Sequence, residues 1–533
     1  MAGMQKKIYL DSKANKTIVH GAITVMAAFI ISNLIGLFAK TLTARYFGTG
    51  IESNAFFAAN RFTEILFNLV AGGALGSAFI PVFTGLLAKN KNKKAWRLAS
   101  AVMNLVTIVL VVLSLLTAIF SRQVVRYVLA PGFSDNEVLL TAQLLRIQVL
   151  SSVIFGLSGL VMAALNAHQH FLLPAIAPAM YQVGWILGIF LLEPKIGIFG
   201  LAWGVVIGSF FHLAVQIPRL LKLPAINYSF SFGLEMDEVR EVTRLMAPRL
   251  LGVAVVQLNF LLNTFLASFQ PEGSITAISL AFPLMIMPQA AIAQSIAIAA
   301  LPTFSALVAK NEISEMRNSL ISTLRVVLIL SIPAATGLIL LREPIVTLLY
   351  RGNAFTPHSV KLVSWALLWF SLGLVGHCLV EVISRAFYAL HDTKTPVIVG
   401  VGAMTGNLFL SILFSAIFSE IGWMPHGGLA LANSTATAVE SVILLILMKR
   451  KLNGIDGKGI TETIIKSISA SVGMGAVIWF VERLMNAHSP GIYVVISIIT
   501  GVIVYGLLLV LLKSSEIRHV FSLIGAKFVK KKL

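Results

Sequence analysis

The sequence predicts an all-α polytopic membrane protein: about fourteen transmembrane helices, forming two homologous six-helix lobes and two further C-terminal helices. Three observations lead there. Of 533 residues, 57% are hydrophobic and 12% charged, with a mean hydropathy of +0.89, far more apolar surface than a soluble core can hide. Apolar runs of roughly 20 residues, enough to cross about 30 Å of hydrocarbon, recur from Thr17 onward, and their continuity argues for helices over alternating barrel strands. Finally, the chain repeats itself: PTFSALVAKN at Pro302–Asn311 lies over PVFTGLLAKN at Pro81–Asn90, an offset of 221 residues. YALHDTKTPV (Tyr388–Val397) lies over NAHQHFLLPA (Asn166–Ala175) at an offset of 222, and Phe355 over Phe133 at the same offset. An internal duplication inside a hydrophobic chain is characteristic of transporters.

Taken in order, the apolar windows place spans near 17–44, 53–87, 95–120, 138–165, 173–193 and 197–219. The second set falls near 246–270, 276–309, 318–341, 358–389, 396–418 and 427–449, and two unpaired spans follow near 462–483 and 490–512. The organisation is thus a cytoplasmic segment at 1–16, a first lobe at 17–220, a linker at 221–245, a second lobe at 246–450, two final helices within 451–513 and a basic tail at 514–533. Lysine and arginine set the orientation. Lys89, Lys91, Lys93, Lys94 and Arg97 share one side with Arg219, Lys222, Arg240, Arg244, Lys310, Arg317, Lys449, Arg450 and Lys451. The opposite loops carry only scattered arginines and Lys195, so both termini are expected in the cytoplasm. Phe230–Arg244 mixes apolar and charged residues as a short interfacial helix would, although a solvated linker fits the same pattern. Ser121–Asp135, with Pro131-Gly132-Phe133, is expected to pack at the outer face.

The net charge of +19 is spread over short loops without interleaved aromatics, which excludes a nucleic-acid surface and fits membrane topology. Residues 1–21 contain no long apolar run ending in a cleavage site, so no cleaved signal is expected. The one cysteine, Cys378, excludes disulfides and Cys-ligated metals. No metalloprotease, phosphate-loop or nucleophile-elbow motif is present, so the chain reads as a transporter and not an enzyme. No cofactor is expected. A gradient must drive transport, and the coupling ion stays open.

Charges within spans are costly, so each is a functional candidate. Lys40 lies toward the outer end of the first span, which also carries Asn33. Arg61 and Glu64, three apart on the second, share one face with Asn54, Asn60 and Asn68 nearby. Arg249 opens the seventh. Two readings stand for each: Arg61 with Glu64 is a neutralised structural pair or a ligand contact, and Lys40 and Arg249 snorkel to headgroups or face a cavity. Arg146, Arg385 and Glu440 fit interhelical pairs. Small residues at Gly72, Gly73 and Gly76, ending at Pro81, and the matching Pro288–Pro302 stretch, point to flexible or gating segments in corresponding spans.

Several motifs together resemble the MurJ/MviN family: ARYFGTG (Ala44–Gly50), NAFFAA (Asn54–Ala59), GALGSAFIPVF (Gly73–Phe83), APGF (Ala130–Phe133), LNAHQHFLLPAIAP (Leu165–Pro178) and FYALHDTKTPV (Phe387–Val397). The resemblance covers essentially the whole chain. It implies a flippase of the MOP exporter superfamily moving lipid II, the undecaprenyl-pyrophosphate-linked peptidoglycan precursor, by alternating access, with the last two helices forming a groove for the isoprenoid tail. It also implies a bacterial cytoplasmic membrane location and cell-wall synthesis proteins as partners. The family's cavity charges are altered: its paired arginines on the second helix fall at Phe67 and Asn68, an aspartate at Asn54 and an arginine of the eighth helix at Pro283. Lys40, Arg61 and Arg249 are expected to supply the replacement positive charge, with Asn33, Asn54 and Glu64 beside them. Alternatives are a flippase for another polyprenyl-linked oligosaccharide and a drug or cation antiporter. An intramembrane glycan polymerase would need a large outer loop, and none is present.

Overall fold

The computed structural model describes residues 13–70, 74–454, 456–485 and 490–514, and among them every regular element is helical. The chain divides into two compact units, Met1–Glu272 and Gly273–Leu533. The first holds α1 (Lys13–Phe47), α2 (Ile51–Val70), α3 (Ala74–Ala88), α4 (Asn92–Ile119), α5 (Asp135–Ala167), α6 (Leu172–Leu187), α7 (Ile198–Ala214) and α8 (Asp237–Ser268). The second holds α9 (Ser274–Gln289), α10 (Ser295–Ala309), α11 (Ile313–Leu340), α12 (Arg342–Tyr350), α13 (Pro357–Ala389), α14 (Lys394–Glu420), α15 (His426–Lys451), α16 (Gly457–Leu484) and α17 (Pro490–Leu511). π turns extend α6 through Gly188–Leu192 and join α9 to α10 through Ala290–Gln294. Among the described residues eleven helices are long and apolar enough to cross a membrane, or twelve with the bent α8, which is compatible with the predicted set.

The duplication is visible in backbone geometry. Each repeated motif ends its helix with one residue in the left-handed region: Asn90 (φ 55°) and Asn311 (φ 58°) in the first pair, Gln169 (φ 60°) and His391 (φ 57°) in the second. Each left-handed residue lets the next amide reach back to the last turn, as Lys91 N does to Leu86 O (3.0 Å) and Glu312 N to Leu307 O (2.9 Å). Phe83 and its counterpart Phe304 are both fully buried, as are Phe133 and Phe355 to within a few per cent. The turn at Asp392 is also tied to the end of α15, where Lys451 Nζ donates to Asp392 Oδ2 while Thr395 N and Oγ1 donate to the same carboxylate.

Glycine allows helices to meet where side chains would not fit. In the first unit α6 and α7 touch backbone to backbone: a Cβ on Gly184 would lie 2.2 Å from Gly208 Cα, and one on Gly188 would lie 2.5 Å from Gly204 Cα. In lipid such contact substitutes dispersion for the missing hydrophobic drive between helices. The Ser121–Asp135 segment is packed against helix ends. Leu129, Ala130 and Phe133 are buried, Gly132 N donates to Ser268 Oγ at 3.1 Å, and Ser134 and Glu137 form a capping box that starts α5.

The linker differs from expectation. Asp237–Ala247 is helical but runs on into Gly252–Ser268 with a 45° bend, forming one long α8, and Pro248 and Gly252 bracket the break. The bend sits where proline removes a backbone donor, so the amphipathic stretch continues the helix instead of standing apart from it. α8 packs along α2 and α3, which is why the first unit extends to Glu272. The chain before α8 is strapped along α4: Trp96 Nε1 donates to Pro224 O (3.1 Å), Asn104 Nδ2 to Ser231 O (2.8 Å), and Lys94 and Arg97 pair with Glu238 and Glu235 at 2.6 Å each. In the second unit α16 and α17 pair with each other and α16 with α11, and Tyr505 donates to Ile329 O at 2.7 Å. Val472, Phe480, Val502 and Leu507 leave an outward apolar face. The basic tail lies outside the described residues.

Two predictions follow from this packing. Gly184→Ala forces backbone against backbone and should cost about 1–3 kcal/mol, read as a lower Tm of the purified protein, whereas Gly76→Ala, whose Cβ would meet only Ile80 Cδ1 at 4.0 Å, should be near neutral. The Lys451 hydrogen bond, and then that from Thr395, lower the Asp392 carboxyl from its ordinary 3.8 to about 2. Its contribution to stability is therefore fully present above the unfolded value and is lost as pH falls through the folded one. The Tm gap between wild type and Asp392→Asn should be constant above about pH 5 and shrink toward about pH 2.

Candidate functional site

α2 begins at a glycine-dependent turn. Gly48 is left-handed (φ 61°), and Ser53 Oγ donates to the Phe47 and Gly48 carbonyls at 3.2 and 2.9 Å, fixing how α2 leaves α1. Two turns on, Arg61 Nη1 donates to Glu64 Oε2 at 2.8 Å, and Asn60 Nδ2 to Glu64 Oε1 at 2.9 Å. Both members of the ion pair are partly exposed, at 24% and 40%, so the pair is not sealed into the core. The guanidinium also lies 5.1 Å from the Phe260 ring of α8. Lys40 of α1 lies within electrostatic reach of both Glu64 and Arg61, and Tyr181 of α6 within reach of Glu64. Two basic groups and one carboxylate thus share a low-dielectric setting.

The wall behind this cluster is aromatic. Trp185 Nε1 donates to Thr43 Oγ1 at 2.9 Å and packs edge-on against Phe56, while Tyr181 packs against Trp185 and Phe155. Gly36 admits the Gln182 amide, which a Cβ would meet at 3.3 Å. The site therefore rests on α1, α2, α6 and α8, all within the first unit.

The structure brings together Lys40, Arg61 and Glu64 of the predicted set. Asn33 is exposed two turns before Lys40 on α1, and Asn54 is buried two turns before Arg61 on α2. Arg249 is exposed on α8, eleven residues before Phe260 and within the break. Gly72 and Gly73 lie outside the described residues. Pro81, Pro288 and Pro302 all sit inside helices, and Pro288 precedes the π turn Ala290–Gln294, whose counterpart in the first repeat falls at 69–73. Arg146 is structural: it donates to Ala118 O and Ser121 Oγ, closing the C-terminal end of α4. Arg385 pairs with Glu381 at 2.7 Å. Phe260 and Tyr181 were not legible as site residues, because each is one apolar or aromatic residue among many in its span; the i,i+4 spacing of Asn60 and Glu64 was a usable signal.

A duplicated, all-helical membrane fold with a basic cluster set against its helices defines a polytopic transporter. The family model described as "Lipid II flippase MurJ" matches residues 43–499, and the chain belongs to that family. Among curated relatives, the lipid II flippase MurJ of Burkholderia cenocepacia is 29% identical over 439 residues, covering 80% of this chain and 83% of its own. The probable lipid II flippase MurJ of Vibrio cholerae is 28% identical over 516 residues, covering 92% and 94%. A solved structure of lipid II flippase MurJ in an inward closed conformation matches with a TM-score of 0.79 at 26% identity, over 94% of this chain and all of that one. An inward-facing multidrug MATE transporter of the MOP superfamily matches at a TM-score of 0.68 and 14% identity, over 82% of this chain and 98% of its own, a likeness of fold alone.

The Arg61–Phe260 contact can be weighed directly. A double-mutant cycle of Arg61→Met with Phe260→Leu, read by reversible unfolding, should give a coupling of about 0.5–2 kcal/mol, near the upper end where the pair is desolvated.

Proposed function

We propose that this chain moves lipid II from the inner to the outer leaflet of the bacterial cytoplasmic membrane, serving peptidoglycan synthesis as a transporter and not an enzyme. The match to the lipid II flippase family over residues 43–499 carries the reading. The chemistry agrees with it: a pyrophosphate entering a low-dielectric region needs positive charge and donors beside it, and the Lys40–Arg61 cluster offers both. In this reading Lys40, Arg61 and Arg249 contact the headgroup, Asn33 and Asn54 add neutral donors, and Glu64 orients Arg61 and keeps it paired between cargoes. Gly72, Gly73, Gly76, Pro81, Pro288 and Pro302 allow the helices to bend as the site is exposed alternately to the two faces. α16 and α17 carry the isoprenoid tail along their apolar face, both termini are cytoplasmic, and cell-wall synthesis proteins are the partners that consume the cargo.

A flippase for a different polyprenyl-linked glycan is not favoured, since the named relatives are lipid II flippases, and a drug antiporter has only the likeness of fold behind it.

The test is replacement. In a bacterium depleted of its own lipid II flippase, expression of this chain should restore growth and lipid II on the outer leaflet. A well-inserted protein that restores neither overturns the cargo. Arg61→Ala should cut transport about 10- to 100-fold, the loss expected for one charge-assisted contact of about 1.5–3 kcal/mol, while Arg146→Ala, outside the site, should be judged by expression level alone. Wild-type transport by both Arg61→Ala and Arg249→Ala would remove them from the site.

A further inference from the structure

The two repeats share a fold but not the chemistry of one seam. In the first unit α2 packs along α5, with Phe67 against Phe155 at a ring distance of 4.5 Å. Both helices run in the same direction across the membrane, so residues equally far before these two phenylalanines lie level. Seven before them come Asn60 and Gln148, and three or four before come Thr63 and Ser152, all on the contacting stripes. All four are at most 4% exposed. Yet among the described residues Asn60 Oδ1, Thr63 Oγ1, Ser152 Oγ and both amide atoms of Gln148 have no hydrogen-bond partner, and Thr141 Oγ1, two turns further along the α5 stripe, has none either.

The second unit shows that the fold does not require this. The counterparts of Asn60, Thr63, Thr141, Gln148 and Ser152 at the two offsets are Ala281, Leu284, Val363, Phe370 and Leu374, all buried and apolar. There Phe282, the counterpart of Arg61, packs against Phe370 at 5.2 Å, which also confirms the level at which Arg61 and Gln148 stand. Six orphaned polar atoms along a seam that its own duplicate closes with hydrocarbon are costly, and the cost points to a ligand.

We propose that the α2–α5 seam binds a dehydrated alkali cation, sodium in the first place, through the side-chain oxygens of Asn60, Thr63, Gln148 and Ser152, with the Glu64 carboxylate at its rim. The set is rich in acceptors. Asn60 turns its amide toward Glu64, which leaves its carbonyl oxygen for the seam, and amide and hydroxyl oxygens are hard neutral ligands that suit a monovalent ion better than a transition metal. Consistently, no His, Cys, Asp and Glu grouping among the described residues fits a transition metal. The consequence, which rests on the cargo reading above, is coupling. Without the ion Glu64 holds Arg61 at 2.8 Å; an ion beside Glu64 takes over its charge and releases the guanidinium toward an anionic headgroup. Cation occupancy of the seam then decides when the guanidinium is free for cargo, which makes transport depend on the cation.

The test uses the full chain in lipid nanodiscs without cargo, so it is separate from the question of what is transported. Thermal unfolding in about 100 mM sodium chloride, compared with choline chloride at equal ionic strength, should show a saturable rise in Tm of several degrees. Gln148→Met and Ser152→Ala should each lose that rise while keeping the Tm seen in choline, and Ser152→Ala carries the test if Gln148→Met does not fold. Equal Tm in sodium, lithium, potassium and choline means that the seam holds only water and overturns the proposal. A sodium shift that survives both substitutions places the ion elsewhere and overturns it as well. Sodium-independent appearance of lipid II on the outer leaflet removes the coupling and leaves the cargo reading standing; binding without any lipid II transport does the reverse.

Discussion

Hydrocarbon offers no hydrogen-bond partner, and most of this structure follows from that. Backbone amides are satisfied by long helices, and helix ends are closed by local devices at the rim: the Ser134–Glu137 box, the left-handed residues at Asn90, Gln169, Asn311 and His391, and the carboxylate of Asp392 on Thr395. Because lipid gives helices no hydrophobic reason to associate, close contact must come from shape. Gly184, Gly188, Gly204 and Gly208 provide it between α6 and α7. Polar side chains left within the spans then stand out, since each must have a partner inside the protein or a ligand.

On that criterion the first unit is where the chemistry concentrates. Arg61 has three associates: Glu64 as counter-charge, Phe260 as a ring face, and Lys40 as a second basic side chain within electrostatic reach. An arginine held this way is positioned yet not sealed off, because the pair is partly open. The pairing with Glu64 also limits how strongly Arg61 attracts an anion. Under the function proposed above, cargo competes with a carboxylate, which suits a carrier that has to release what it binds.

Much of this was legible in the sequence, and the parts that were not share a physical reason. Span positions, the duplication and the Arg61–Glu64 pair are written in local patterns: hydropathy over 20 residues, motifs at a fixed offset, a spacing of three. The role of α8 was not legible. Its apolar face reads the same whichever unit it packs on, and the amphipathic Asp237–Ala247 stretch gives no sign of continuing into the span beyond the Pro248 break. Phe260 is one apolar residue among LNFLLN, and only the fold sets it over Arg61. Gln148 carries no motif in the sequence, and its meaning depends on the register of α2 against α5, which the Phe67–Phe155 contact fixes only in three dimensions.

The duplication adds an internal control that a single lobe would lack. Where two repeats share helix order, turn geometry and buried phenylalanines, a position that differs between them is not there for the fold. Arg61 faces Phe282 across the alignment, Glu64 faces Met285, Asn60 faces Ala281 and Gln148 faces Phe370; in each case the second unit has the apolar residue that a packed membrane helix prefers. These four substitutions lie within about one turn of each other on two touching helices, so they form one patch and not a scatter of drift. At this seam the duplicated scaffold keeps one copy apolar and loads the other with a carboxylate, a guanidinium and two amides, so the two copies have separate roles there. One copy of the seam is built for packing, and the other holds charge where lipid would exclude it.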